Sequence, residues 1–292
     1  MKKVCLIAAS AFSLFISPVM ATEGGGGAYP NGSEDFMTGA VPPPGDYVLT
    51  YGLYYKADKL MDGNGNKMPI DFDLDVAGAI FRYIHVTKVE VAGGLWAQHL
   101  IVPVLNVDVT TPADSDSKFG LSDIIVDPFL ISWHKPPFHW VVGMDTFIPV
   151  GSYDKNDVAN IGRDCWTFEP VAGVTYMDEH GIDLSLKVMY DFNTENNDTG
   201  YHSGEEFHCD AAAGLAFGDW KAGINGFVYK QTTPDSAPAD AMQLGEGRQF
   251  GLGPAVSYQL KSVSIVAKYQ REFATEARPE GDRFWLKLIV PF

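Results

Sequence analysis

RFWLKLIVPF, residues 283–292, places an apolar residue at every second position: Phe284, Leu286, Leu288, Val290 and Phe292. Between them stand Arg283 and Lys287. A period of two puts the two sets on opposite faces of a β-strand. One such strand is compatible with the edge of a soluble sandwich, so the rest of the chain must decide.

The N-terminal stretch MKKVCLIAASAFSLFISPVMA has two lysines, an apolar run from Val4 to Ile16 and small residues near Ala21. That layout predicts a secretory signal peptide over 1–21, too short for a spanning helix. Removing it takes Lys2 and Lys3 away and moves the formal charge from −16 to −18. So acidic a chain has no electrostatic reason to bind nucleic acid. No later segment offers about 18 uninterrupted apolar residues. An exported protein of this kind enters a membrane only as a closed barrel. Mean hydropathy near zero with 13% aromatic residues suits strands with one wet face. Cys165 and Cys209 are too few for a disulfide scaffold and are expected as free thiols.

Residues 22–44 are rich in Gly and Pro and show no period. Two arrangements stay open for them. One is a tail outside the barrel; the other is a plug that enters the lumen, with Tyr29, Phe36 and Met37 as anchors. From Gly45 alternation begins and continues to the end, giving twelve segments: roughly 45–56, 71–84, 88–102, 120–134, 138–150, 163–177, 182–193, 203–217, 220–232, 247–260, 263–274 and 282–292. Their lengths suit tilted membrane strands, and an even count suits bacterial barrels. Connections alternate between short ones, such as KPP and DEHG, and long polar ones at 57–70, 103–119, 151–162, 194–202, 233–246 and 275–281. Sorting by side is the outer-membrane pattern. The expected fold is therefore an all-β, twelve-stranded antiparallel transmembrane barrel over 45–292, located in the bacterial outer membrane.

On that reading the stripe Phe284, Leu286, Leu288, Val290 and Phe292 faces lipid and lipopolysaccharide. It also serves as the signal read by the barrel-assembly machinery. The lumen is expected to collect the basic residues Lys56, Lys187, Lys268, Arg283 and Lys287. Its acidic set is Asp71, Asp73, Asp123, Asp127, Asp145, Glu206 and Asp210, and its aromatic set Tyr54, Trp96, Phe129, Phe147, Tyr229 and Trp285. Charges that pair across strands fill a narrow barrel; charges held apart make a constriction with a transverse field. Ser132 with His134 lacks an acid partner, and Glu206, His208 and Asp210 share one strand face as any wet face would. No catalytic residue, metal or cofactor is expected.

Several ordered stretches, among them GLSDIIVDPFLISWH, FIPVGSYDKNDVANIGRDCWTFEPVAGVTY, YDFNTENNDTGYHSGEEFHCD and RQFGLGPAVSYQL, resemble the outer-membrane proteins of the phenol meta-pathway degradation (Phenol MetA-deg) family. The resemblance covers about 45–292. It implies a barrel for passive uptake of small hydrophobic or aromatic compounds and brings no catalytic residues. The alternative is a closed structural or lipid-modifying barrel.

Overall fold

A computed structural model describes residues 26–238 and 244–292; the expected signal peptide lies outside them. The strands are β1 (Gly45–Leu60), β2 (Asp73–Val91), β3 (Gly94–Thr110), β4 (Ser115–Leu121), β5 (Ile124–Lys135), β6 (Phe138–Ile148) and β7 (Thr167–Met177). They continue with β8 (Ile182–Asn193), β9 (Glu206–Phe217), β10 (Trp220–Gln231), β11 (Arg248–Leu260), β12 (Val263–Glu276) and β13 (Pro279–Pro291). β4 and β5 both pair with β3 and form one strand position broken at Ser122–Asp123. Each position pairs antiparallel with the next, and β13 pairs with β1 from Tyr47↔Pro291 to Leu60↔Pro279. A closed barrel of twelve positions results, and closure leaves no edge among them except on β4.

The alternation places Phe284, Leu286, Leu288, Val290 and Phe292 on the outer surface, with Arg283, Trp285 and Lys287 turned inward. β8 follows the same rule, its Leu184, Leu186 and Phe192 outside and Asp183, Ser185, Lys187 and Asp191 inside. At one end the chain turns tightly, at Ala92–Gly93, 136–137, 178–181, Gly218–Asp219 and 261–262. Gly93 and Gly218 have φ of 77° and 61°, where a side chain would be strained. At the other end lie 61–72, 149–166, 194–205, 232–238 and 244–247.

Boundaries differ from the sequence reading at three connections. The first short turn falls at Ala92–Gly93, not at 85–87, because β2 and β3 run on beyond the segments expected. The connection expected at 103–119 is instead the outer half of β3, a tight turn at 111–114 and β4. The last long connection shrinks to Ala277–Arg278, with Ala277 at φ 53°. β3 and β4 pair from Val104↔Leu121 to Thr110↔Ser115, while β6 ends at Ile148 opposite Ile124. A blade formed from β2, β3 and β4 therefore stands above the rim. The 149–166 connection packs on it: Ala159 lies against Val107 and Val109, Lys118 pairs with Asp157 at 2.5 Å, and the Ser122 hydroxyl donates to the Ile161 carbonyl at 2.7 Å.

Six expected lumen residues face outward. On β1 and β2 the inner face is apolar except for Arg82 (Leu49, Tyr51 and Leu53 opposed by Ile80 and Ile84), so the rule of polar inside is largely inverted. Tyr54, Lys56 and Asp73 occupy the outer phase near the upper rim, where Lys56 Nζ lies 3.2 Å from Asp73 and 2.8 Å from Asp75. Asp71 is exposed in the loop before β2. Trp96 points outward, its ring N–H donating to the Pro128 carbonyl at 2.8 Å; the apolar run of β3 carries no alternation that would fix its phase. A bulge between Val126 and Ile131 turns Phe129 outward, 68% exposed. Asp127 caps that bulge by accepting the backbone N–H groups of Phe129 at 2.7 Å and Met144 at 2.9 Å. Ser132 is buried inside. Cys165 is buried, and Cys209 is a half-buried free thiol.

Candidate functional site: the filled lumen and its cavity

The Gly/Pro segment enters the barrel from the tight-turn end. Its backbone N–H groups at Val41, Gly39 and Met37 donate to Ser132 (3.4 Å), Thr175 (2.9 Å) and Ser185 (2.9 Å) near that end. Higher up, Asp210 accepts from the Tyr29 hydroxyl at 2.6 Å and from the N–H groups of Gly32 and Glu34 at 2.9 and 3.0 Å. Partners on β2, β5, β7, β8, β9, β10, β12 and β13 surround the segment. Irregular backbone inside a membrane barrel is tolerated only when protein partners satisfy it, and here wall side chains do so.

Charge does the rest. Asp35 sits between Lys287 Nζ at 2.6 Å and Lys268 Nζ at 3.2 Å. Glu34 meets Arg82 at 2.8 Å and Lys187 at 3.8 Å. Lys268 also donates to the carbonyls of Ser33 and Glu34, at 2.6 and 2.9 Å, and Arg283 donates to the Asn31 carbonyl at 2.7 Å while pairing with Glu272. These groups are almost wholly removed from water. Separately each would carry a desolvation cost of several kcal/mol; together they hold the segment in one register.

Between this segment and the β1–β3 wall lies a cavity of about 660 Å³. Tyr51, Leu53, Phe72, Leu74, Ile80, Ile101, Ile125 and Phe147 give it an apolar lining; Arg82, Lys187, Arg283 and Asp145 supply polar atoms, and Val158, Ile161 and Arg163 of the long 149–166 connection border it. Asp123 anchors that connection by accepting the N–H groups of Gly151 and Arg163, both at 2.9 Å. Burial nevertheless holds the Asp123 carboxyl above its usual range. Farther out on the same connection, the Asn156 N–H and side-chain amide hold the Asp154 carboxyl below its usual range.

Of the residues singled out from sequence, Lys187, Lys268, Arg283, Lys287 and Asp210 converge on the N-terminal segment. Asp123, Asp145 and Phe147 border the cavity with Lys187 and Arg283. Tyr229 and Trp285 are buried inside, Tyr229 under Arg278 and Trp285 beside Tyr51. Glu206 lies at the top of the lumen beside His208. Sequence reasoning missed Glu34, Asp35, Arg82, His99, Glu169 and Glu272. The inward phase of β12 contains the clue for Glu272, whereas Arg82 needed the corrected phase of β2.

Residues 57–288 match the family described as "Putative MetA-pathway of phenol degradation". The chain belongs to that family. No curated protein matches it. Among solved structures, the COG4313 outer membrane channel from Pseudomonas putida F1 superimposes with a TM-score of 0.79 at 15% identity, covering 88% of this chain and 98% of that one. The β domain of the Bordetella autotransporter BrkA gives 0.48 at 12% identity, with 85% and 99% covered. A Pseudomonas aeruginosa FadL homologue gives 0.42 at 10% identity, with 85% and 90% covered. The likeness to the first establishes the outer-membrane barrel fold for this member of the phenol-degradation family.

Proposed function

We propose that the protein is an outer-membrane channel that admits small hydrophobic or aromatic compounds, with its N-terminal segment as a plug between the cavity and the periplasm. The observation that carries this reading is the apolar, aromatic-lined cavity of about 660 Å³ inside a barrel whose remaining lumen is filled. Its size falls in the range of about 300–1,000 Å³ usual for small-ligand pockets. Tyr51, Tyr55, Phe72 and Phe147 offer faces on which a flat ring stacks, each contact worth about 0.5–1.5 kcal/mol beyond burial. A sugar has little to gain there. Family membership and the channel named in the Pseudomonas putida structure agree with passage; the name of the family agrees with an aromatic cargo.

The test is uptake of radiolabelled toluene and of glucose by cells lacking the protein, with and without the gene restored. Toluene uptake at limiting concentration is expected to fall and to recover on restoration, with glucose unchanged. Equal toluene uptake in the parent, the deletion and the restored cells would overturn the assignment. A closed barrel has one observation in its favour, the complete pairing of Glu34 and Asp35 with the wall, and predicts that equality.

A further inference from the structure

Across the wall from β6 to β9, four inward carboxylates stand side by side near the long-loop end. Asp145 is directly opposite Glu169, and Asp191 is directly opposite Glu206. The pairs Thr167↔Asn193 and Phe168↔Phe192 bring Glu169 opposite Asp191 at the next step. Directly opposed residues have Cβ atoms about 4.5–5.5 Å apart, and like charges so placed repel. Asp145 has an answer in His99 at 2.8 Å and Lys187 at 3.9 Å. The other three are fully buried, and no oxygen of Glu169, Asp191 or Glu206 takes a hydrogen bond. Glu169 has no ion-pair partner among the described residues, and Glu206 has the Arg163 guanidinium only at 3.7 Å.

His208 completes the group. Its Nδ1 lies 2.7 Å from Asn31 Oδ1, so Nδ1 donates there and Nε2 is aimed at the carboxylates. Nε2 is 3.2 Å from Asp191 Oδ2 and 3.5 Å from Glu206 Oε2. Ligand atoms held about 2.0–2.1 Å from a tetrahedral ion stand about 3.3–3.4 Å apart, so this spacing already suits one. An imidazole oriented by a hydrogen bond through its other nitrogen is the usual outer support of a metal ligand.

We propose that Asp191, Glu206 and His208 form a binding site for a divalent first-row transition-metal ion, with Zn²⁺ as the best fit and Glu169 as an outer carboxylate beside Asp191. Carboxylate oxygens alone would suit Ca²⁺ or Mg²⁺; the imidazole shifts the preference to Zn²⁺. Gly27, whose missing Cβ would lie 2.6 Å from Glu206 Oε2, and Arg163 border both this group and the cavity, which gives an ion its way in. A bound ion would fasten the upper end of the N-terminal segment through Asn31 and His208. This site is independent of what the channel carries.

The experiment uses the full barrel purified in detergent, stripped with EDTA, desalted, and loaded separately with Zn²⁺, Ca²⁺ and Mg²⁺. Elemental analysis is expected to show one equivalent of Zn²⁺ retained and neither of the others. Asp191→Asn and His208→Gln should each lose it, and Glu169→Gln should weaken affinity about 10- to 100-fold. Heat-modifiable gel mobility identifies folded variants, and Co²⁺ loading gives a visible spectrum that changes in His208→Gln if the imidazole ligates. Folded wild-type protein that retains no Zn²⁺ would overturn the proposal. So would equal retention by folded Asp191→Asn, or a preference for Ca²⁺ or Mg²⁺. Failure to bind Zn²⁺ together with a higher melting temperature for Glu169→Gln would identify a proton shared between Glu169 and Asp191 instead.

Discussion

Asp35 shows what one residue holds in place. Its carboxylate lies between two lysine ammonium groups, all three screened from water. Replacing Asp35 with Asn keeps the shape and removes the charge, which leaves Lys268 and Lys287 facing each other unpaired. Breaking a buried pair in this way costs about 3–5 kcal/mol. The expected outcome is release of the N-terminal segment without loss of the barrel: proteolysis should clip the segment in Asp35→Asn and spare it in the parent. Lys287 was read from sequence as a lumen cation. Its amine is instead committed to Asp35 and does not border the cavity. Lys287→Ala should therefore resemble Asp35→Asn under protease, and change uptake of an aromatic acid no more than uptake of its neutral analogue. The inward phase of Lys187, Lys268, Arg283 and Lys287 was legible because their strands alternate cleanly. Their partner was not, since a segment without period gives no sign of where its Glu34 and Asp35 will lie.

At the scale of single strands, alternation was reliable where the lumen is charged and failed where it is greasy. β8, β9, β12 and β13 have one polar and one apolar face, and a period of two identifies each. β1 and β2 have apolar residues on both faces, and apart from the inward Arg82 their charges gather near the ends; Lys56 with Asp73 looked like a wet interior and, with Asp75, is a solvated outer cluster. β3 has no alternation, and β5 changes phase at its bulge, which local sequence does not announce. The closing strand permits a direct test of depth. Leu286 lies mid-strand on the outer face and Val290 near the tight-turn end. Leu286→Arg is expected to destabilise the barrel in phospholipid vesicles by about 2–4 kcal/mol, and Val290→Arg by about 0–1 kcal/mol. Denaturant unfolding followed by tryptophan fluorescence measures both. Equal costs would mean that the strand is not sited across the bilayer as its face pattern requires.

For the whole molecule, the two carboxylates of the segment answer cations on the inner wall of the barrel. Removing residues 26–43 takes Glu34 and Asp35 away from Arg82, Lys187, Lys268 and Lys287. The wall should still close, because its ladder runs unbroken from β1 round to β13 without them. Single-channel recording in planar bilayers is expected to show a higher conductance for the shortened protein. Its reversal potential in a salt gradient should also move toward that of the anion. Unchanged conductance with a normal gel shift would show that the segment does not limit passage. The even count of strand positions and the barrel were visible in the chain from its alternation and its loops. The cavity was not, because it forms only between two elements whose contact no periodicity encodes.

The blade of β2, β3 and β4 has one further consequence. The stretch of β3 beyond Pro103 adds seven residues, and at about 3.3 Å per residue and a tilt near 40° it rises by about 18 Å. In a bacterial outer membrane, that height reaches out among the sugars of the lipopolysaccharide. A bacteriophage or an antibody approaching the cell would meet this blade and the 149–166 connection braced against it.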